Sequence, residues 1–392
     1  MTRWNVIALD YLKAKNIPNQ QGSRTMAMLH TSMYNAINAV FGTHSAYKVD
    51  LGSPPGTSPE AAAISAANHV LSTLYSADAE APFIYRYREM MAEIPDGDGK
   101  ASGVEFGRIV AQAIIDLRAD DQSVGAESVP YPDGTETGKW RRTGAALPLM
   151  PGWGRVTPWT MTRKNLLRQA GPPPLRSAKY QKAYSWVKAI GAKNSTLRTV
   201  EQTAVAMFWI GGIPEHWHAI AREISFREGL TLAQNARLFA LLSLGLADAS
   251  ISGWNMKYRY GFWRPVTAIR EGANNTNRRT VGDPSWEPLI MTPPFPEYPS
   301  GHSITCATAA TILKKFFRGK NYTFTRESST PNQQPRTFNS FWQAAEEAGR
   351  SRIYAGVHFS FSNGDALTAG KKLGDFVYDH YLRKTPRKNS RK

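Results

Sequence analysis

The chain has 392 residues, 42 % of them hydrophobic, which is enough for one large domain or two packed halves around a real core and excludes a disordered chain. A formal net charge of +17 favours an anionic partner: nucleic acid, a membrane surface, or a small anionic substrate or cofactor. No run reaches the roughly 18 to 20 apolar residues of a bilayer span, and the opening MTRWNVIALDYLKAKNI is too polar for the apolar region of a signal peptide. The expectation is a soluble protein without a membrane span, secreted or periplasmic if a signal peptide has been removed and otherwise cytoplasmic.

Hydrophobic spacing predicts helices over Ser23–Phe41, Ser58–Tyr75 and Gly103–Ala119 in the first part of the chain. Ser58 before Pro59 suits an N-cap with proline in the first turn. From Asp121 to about Ala178 the period is lost in a Pro, Gly and Trp-rich stretch, YPDGTETGKWRRTGAALPLMPGWGRVTPWT at its centre. Its tryptophans would be costly to leave in water, so a long ordered connection is expected.

Helical patterns resume over Thr199–Glu228 and Thr231–Arg270, and Thr199 with Gln202 and Thr231 with Gln234 fit capping boxes. Helices are again expected over Ser300–Phe317 and from Trp342 to about Leu382. The single cysteine, Cys306, falls in the first of these among Ala, Thr and Ile, where it reads as a packed thiol. The architecture reads as all-α, with a helical half over 1–195 that includes the connection at about 121–178, a helical half over 196–384 that carries the chemistry, and a basic tail over 385–392. The two halves are expected to form one compact unit. The tail reads as a solvated end, since no nucleic-acid recognition motif accompanies it.

Three stretches could carry chemistry. In LADASISGWNMKYRYGFWRPVTAIR, Lys257 and Arg264 lie seven residues apart, about two helical turns, with Pro265 breaking the helix behind them. On one helix face they form either a two-pronged clamp for an oxyanion or a solvated basic stripe, and the aromatic company of Trp254, Phe262 and Trp263 favours the clamp. In PPFPEYPSGHS, four prolines approach a helix start at Ser300, Gly301 and His302. A glycine and the unpaired amides of a helix N-terminus suit an anion, beside which His302 would stand as acid or base; a plain helix cap is the competing reading. In GRSRIYAGVHFSFSNGD, Arg352 and His358 are six apart and converge only if the chain bends, which Gly356 permits; otherwise His358 is a packed core histidine. The remaining histidines stand singly, and His216 and His218 fall on different helix faces.

The order Lys-x6-Arg-Pro, Pro-Ser-Gly-His, Ser-Arg-x5-His resembles the signature of the vanadium-dependent haloperoxidases, their bacterial branch in particular. It is similar, more distantly, to the type 2 phosphatidic acid phosphatase and bacterial acid phosphatase superfamily that shares their oxyanion pocket. Segments RTMAMLHTSMYNAINAV, TVEQTAVAMFW, LADASISGWNMKYRYGFWRP and TPPFPEYPSGHS extend the resemblance from about residue 4 to 382. It implies two packed helical bundles with long ordered loops, and vanadate as cofactor rather than haem, flavin or nicotinamide. Hydrogen peroxide would oxidise a halide, bromide with chloride or iodide in range, to a hypohalous acid equivalent that halogenates an organic acceptor. No specific nucleic acid is implied, and a homodimer is one assembly left open.

By the same resemblance, Lys257, Arg264 and Arg352 would neutralise the equatorial oxygens of vanadate, and Ser300 and the Gly301 amide would donate to it. His358 would be the axial ligand of vanadium, His302 the acid-base group, and Lys257 would also polarise peroxide. Trp254 and Phe295 match an aromatic pair near the halide side. Two departures stand out. Ser362 occupies the place of an acid that in the phosphatases activates the histidine, unless Asp365 or another carboxylate substitutes. Gly212 stands where fungal chloroperoxidases place an aspartate near the acid-base histidine. Asp248 reads as a structural hydrogen-bonding residue. The alternatives are a phosphomonoester hydrolase working through a phosphohistidine at His358 and a phosphate-binding protein without turnover.

Overall fold

The computed structural model describes residues 1–162, 167, 169–272, 277–328 and 330–385, so the basic tail lies outside the described residues from 386 on. As the periodicity predicts, it is helical: thirteen α-helices, one 3-10 turn and one short hairpin among the described residues. Contacts divide it into two units interleaved along the chain, one of Met1–Asp121, His218–Ala247 and Phe376 onward, the other of Gln122–Trp217 and Asp248–Asp375. The sequence reading places its halves on either side of residue 195. The units differ from that division because three helices, α8 (Ile213–Arg227), α9 (Leu232–Tyr260) and α13 (Ser360–His380), each contribute residues to both.

The first unit holds α1 (Thr2–Ala14), α2 (Asn19–Phe41), α3 (Pro59–Leu74), α4 (Phe83–Ala92) and α5 (Asp98–Leu117). Ser58 caps α3 by accepting from the Ala61 amide at 3.1 Å, with Pro59 as the first helical residue. The α3 and α5 backbones meet closely at Gly107, where a Cβ would stand 2.1 Å from the Ala62 carbonyl oxygen. His30, solitary in sequence, gains a partner here. The Asn5 side-chain amide lies 2.8 Å from His30 Nε2 and 2.9 Å from His218 Nδ1, all three residues being buried.

The second unit holds the 3-10 turn Trp153–Arg155, α6 (Ala178–Ile190), α7 (Val200–Phe208), α10 (Pro265–Arg270), α11 (Gly301–Phe316) and α12 (Phe341–Tyr354), with strands β1 (Phe324–Arg326) and β2 (Arg336–Phe338) paired antiparallel, Phe324 opposite Phe338. Thr199 and Gln202 close the expected capping box on α7, and Thr231 with Gln234 closes the one on α9. The described part of the connection from Asp121 to Ala178 is packed through its aromatics: Trp140, Trp153 and Trp159 are buried. It is also tied down by Asp248, whose carboxylate accepts from the Trp159 and Thr160 amides at 2.7 Å each, from Thr160 Oγ1 at 2.5 Å and from the Met161 amide at 3.3 Å.

Glycines cut the long predicted helices. Thr199–Glu228 becomes α7 and α8 around Gly212 at φ +71°, and the last stretch becomes α12 and α13 around Gly356 at φ +79°. No unbroken apolar run reaches bilayer length, yet α9 is long and apolar enough on average to cross a membrane; 89 % of its most apolar window is buried inside the protein, as in a core helix.

Candidate active site

Every site residue expected from the sequence lies in the second unit, around the loop from Pro293 to Pro299 and the start of α11. The loop lacks most of its own backbone pairing, because proline has no N–H, and its carbonyls are taken by cations instead. Lys257 Nζ donates to the carbonyls of Pro296 at 3.2 Å, Glu297 at 3.0 Å and Pro299 at 2.5 Å. Arg264 Nε donates to the Phe295 carbonyl at 2.8 Å, and Nη1 to that of Val357 at 2.8 Å. The Phe295 ring lies against both cations, 5.0 Å from Lys257 Nζ and 4.7 Å from Arg264 Cζ.

The expected route to this convergence is corrected. Lys257 and Arg264 do not share a helix face: α9 stops at Tyr260, Gly261 turns at φ +54°, and Arg264 is the N-cap of α10, whose first residue is Pro265. A turn brings the two charges together. Arg352 and His358 do meet by the bend at Gly356, where the Val357 and His358 amides both bond the Arg352 carbonyl, at 3.1 and 3.3 Å. Gly356 is required there by its positive φ and because a Cβ would stand 2.4 Å from the Gly191 carbonyl oxygen.

Ser300 is the N-cap of α11, as expected, and its hydroxyl takes part in a chain with Ser303 Oγ at 2.8 Å, which reaches Asn363 Oδ1 at 2.7 Å. His302, in the first turn, is half-buried and places Nε2 3.1 Å from the Trp209 carbonyl. A carbonyl only accepts, so Nε2 carries the hydrogen. The same carbonyl accepts from Arg352 Nη1 at 3.3 Å. This backbone oxygen thus supports the histidine in a segment whose Gly212 has no side chain to do so. Trp254 and Phe295 pack together with ring centroids 5.1 Å apart.

One residue of the site escaped the sequence reading. Glu297, fully buried, accepts through Oε1 from the Phe359 amide at 2.9 Å and lies 2.8 Å from His358 Nδ1. A carboxylate absent at position 362 is thus supplied from the loop before α11. Asp365 is occupied elsewhere, accepting from Tyr298 Oη at 2.8 Å. The available signal was that Glu297 is the only acid in a proline-rich run leading into the site.

Three buried cations, Lys257, Arg264 and Arg352, therefore surround His358 with one carboxylate among them. Burial holds the Lys257 ammonium well below its usual range, with Arg264 adding to the effect, and lowers the guanidinium groups of Arg264 and Arg352. Burial pushes the Glu297 carboxyl up to about 7. His302 and His358 are both held well below the ordinary histidine value by desolvation, then by Arg352 for the former and Arg264 for the latter. Arg264 Nη2 and Arg352 Nε are buried donors without a hydrogen-bond partner.

Unpaired buried donors and excess positive charge are costly unless an anion completes them. The first amides of α11 add further donors, and Gly301 leaves a hollow beside Trp254 and Lys257, where a Cβ would stand 3.5 and 3.7 Å from their nearest atoms. The donor set fits a tetrahedral oxyanion such as vanadate or phosphate. Buried cations and two unpaired N–H donors thus converge on one histidine at the start of a helix.

Residues 237–386 match the family model described as the VCPO second helical-bundle domain. The vanadium chloroperoxidase of Curvularia inaequalis is 28 % identical over 281 residues, which cover 54 % of this chain and 45 % of that protein, so the match spans about half the relative's length. Among solved structures, the first bacterial vanadium-dependent iodoperoxidase is similar with a TM-score of 0.84 at 24 % identity, over 98 % of this chain and 97 % of that one. A bacterial vanadium-dependent chloroperoxidase in its apo form gives 0.73 at 16 % identity, over 93 % and 94 %. The fold is the helical fold of those structures, and the family model and the curated relative mark the chain as similar to the vanadium haloperoxidases.

Proposed function

We propose that the protein is a vanadate-dependent haloperoxidase that uses hydrogen peroxide to oxidise a halide, bromide with chloride or iodide in range, to a hypohalous acid equivalent that halogenates organic acceptors. The observation that carries this is the group of three buried cations around His358 with Arg264 Nη2 and Arg352 Nε left unpaired. Similarity to vanadium chloroperoxidase favours vanadate among the oxyanions that fit.

Arg264 and Arg352 would hold the oxyanion through those unpaired N–H groups, with Ser300 and the Gly301 amide donating from the helix start. His358 would present Nε2 to the vanadium. Bound there, vanadate supplies a Lewis-acid centre that activates peroxide toward oxidation of the halide. Lys257 contributes its charge from a position fixed by three carbonyls, and donation to an incoming oxygen requires release of one of them. His302, neutral and with its hydrogen on Nε2, has its lone pair on Nδ1 to take a proton from peroxide. An anion that offsets the Arg352 and Lys257 charges raises the affinity of His302 for that proton. Trp254 and Phe295 form an apolar wall for a weakly hydrated halide.

The test is incubation with orthovanadate followed by bromide-dependent bromination of a phenolic dye with hydrogen peroxide. The expected result is vanadate-dependent turnover that His358→Ala abolishes. The second reading, phosphomonoester hydrolysis through a phosphohistidine at His358, gains from Glu297, which supplies the carboxylate a nucleophilic histidine needs. Ester hydrolysis inhibited by vanadate, without any bromination, would establish it instead.

A further inference from the structure

We infer that Glu297 is a positioning residue that fixes His358 with its hydrogen on Nδ1, so that the Nε2 lone pair is the group offered to the oxyanion. The assignment follows from the two faces of the ring. Arg264 Nη1 lies 3.3 Å from Nε2, and a guanidinium has only hydrogens to give, so Nε2 must be the accepting nitrogen. Nδ1 must then carry the hydrogen, and its partner at 2.8 Å is Glu297 Oε1. The Phe359 amide donates to the same oxygen, as suits a carboxylate acceptor. Protonated on Nε2 instead, the ring would point a hydrogen at a cation and have no lone pair for the pocket.

Glu297 does this from an unusual direction. The resemblance places the acid four residues after the histidine, where Ser362 stands; here the carboxylate comes from the loop three residues before Ser300. The backbone of the same residue holds Lys257, its carbonyl accepting from Nζ at 3.0 Å. One residue therefore ties His358 to a pocket cation. That His358 bonds the oxyanion rests on the proposed function; the tautomer does not.

The experiment is nitrogen NMR of histidine-labelled, vanadate-free full-length protein, with the His358 signals assigned by their loss in His358→Ala, followed by calorimetric titration with orthovanadate. Wild type, Glu297→Gln and Glu297→Ala are compared, the Gln variant guarding against failure of the Ala variant to fold. The wild type is expected to show a pyrrole-type Nδ1 and a pyridine-type Nε2. Glu297→Ala should redistribute the hydrogen between the nitrogens and weaken vanadate binding by about 10- to 100-fold, the usual effect of losing the partner behind a ligating histidine. Removing a buried negative charge beside three cations would on its own tighten anion binding, so weakening isolates the positioning role from electrostatics. A pyridine-type Nδ1 in the wild type, or unchanged or tighter vanadate binding in both variants, overturns the inference. A wild type with the Nδ1–H tautomer that binds no vanadate upholds the positioning role and overturns the proposed function.

Discussion

Gly301→Ala separates the oxyanion pocket from the stability of the fold. Gly301 opens α11, its φ lies outside the left-handed region, and an added Cβ would stand 3.5 Å from Trp254 Cζ3 and 3.7 Å from Lys257 Cε, ordinary contact distances. The free protein should accept alanine without strain and even gain about 0.5–1 kcal/mol from its better helix propensity. The methyl, however, fills the hollow beside Lys257 and crowds an anion seated on the first amides of the helix. Overfilling a packed space costs about 1–3 kcal/mol, which is roughly a 5- to 150-fold rise in Kd for vanadate. Calorimetric titration with orthovanadate, paired with thermal melts, reads both quantities. Equal affinities for the alanine variant and the wild type would refute the placement of the anion against Gly301.

Asp248→Ala should destabilise the protein by about 3–5 kcal/mol, since it removes the shared acceptor of four buried hydrogen bonds; an unchanged urea midpoint would contradict this. Acid should weaken the fold early. Burial holds His30 well below its ordinary value and His218 down to about 3, so both stay neutral in the folded state, while in the unfolded chain they take up protons below roughly pH 6.5. Depressed histidines stabilise fully above the unfolded value and lose that contribution as pH falls toward the folded one, at about 1.4 kcal/mol per pH unit each. The pair should cost about 4 kcal/mol between pH 7 and pH 5, and denaturant unfolding with equal midpoints at the two pH values would rule this out.

The gathering of Lys257, Arg264, Ser300, Gly301, His302, Arg352 and His358 was legible because each belongs to a short pattern whose chemistry points at the same ligand. The path by which they gather was less so. A turn at Gly261 rather than a helix face joins Lys257 to Arg264, and periodicity alone does not report where a glycine adopts positive φ. Glu297 and His358 are 61 residues apart, and nothing local announces their contact. The Trp209 carbonyl behind His302 is a backbone group and leaves no trace in residue type. Strands of three residues, Phe324–Arg326 and Arg336–Phe338, are too short to show alternation. The interleaved units escaped a linear reading because α8, α9 and α13 carry the chain between them without a linker.

The most direct test of the central claim is the crystal structure of the protein grown with orthovanadate. A single oxyanion is predicted on His358 Nε2, with Arg264 Nη2 and Arg352 Nε, unpaired without it, donating to its oxygens. An anion bound elsewhere, or these two donors still unpaired with His358 Nε2 free at saturating vanadate, would contradict the account.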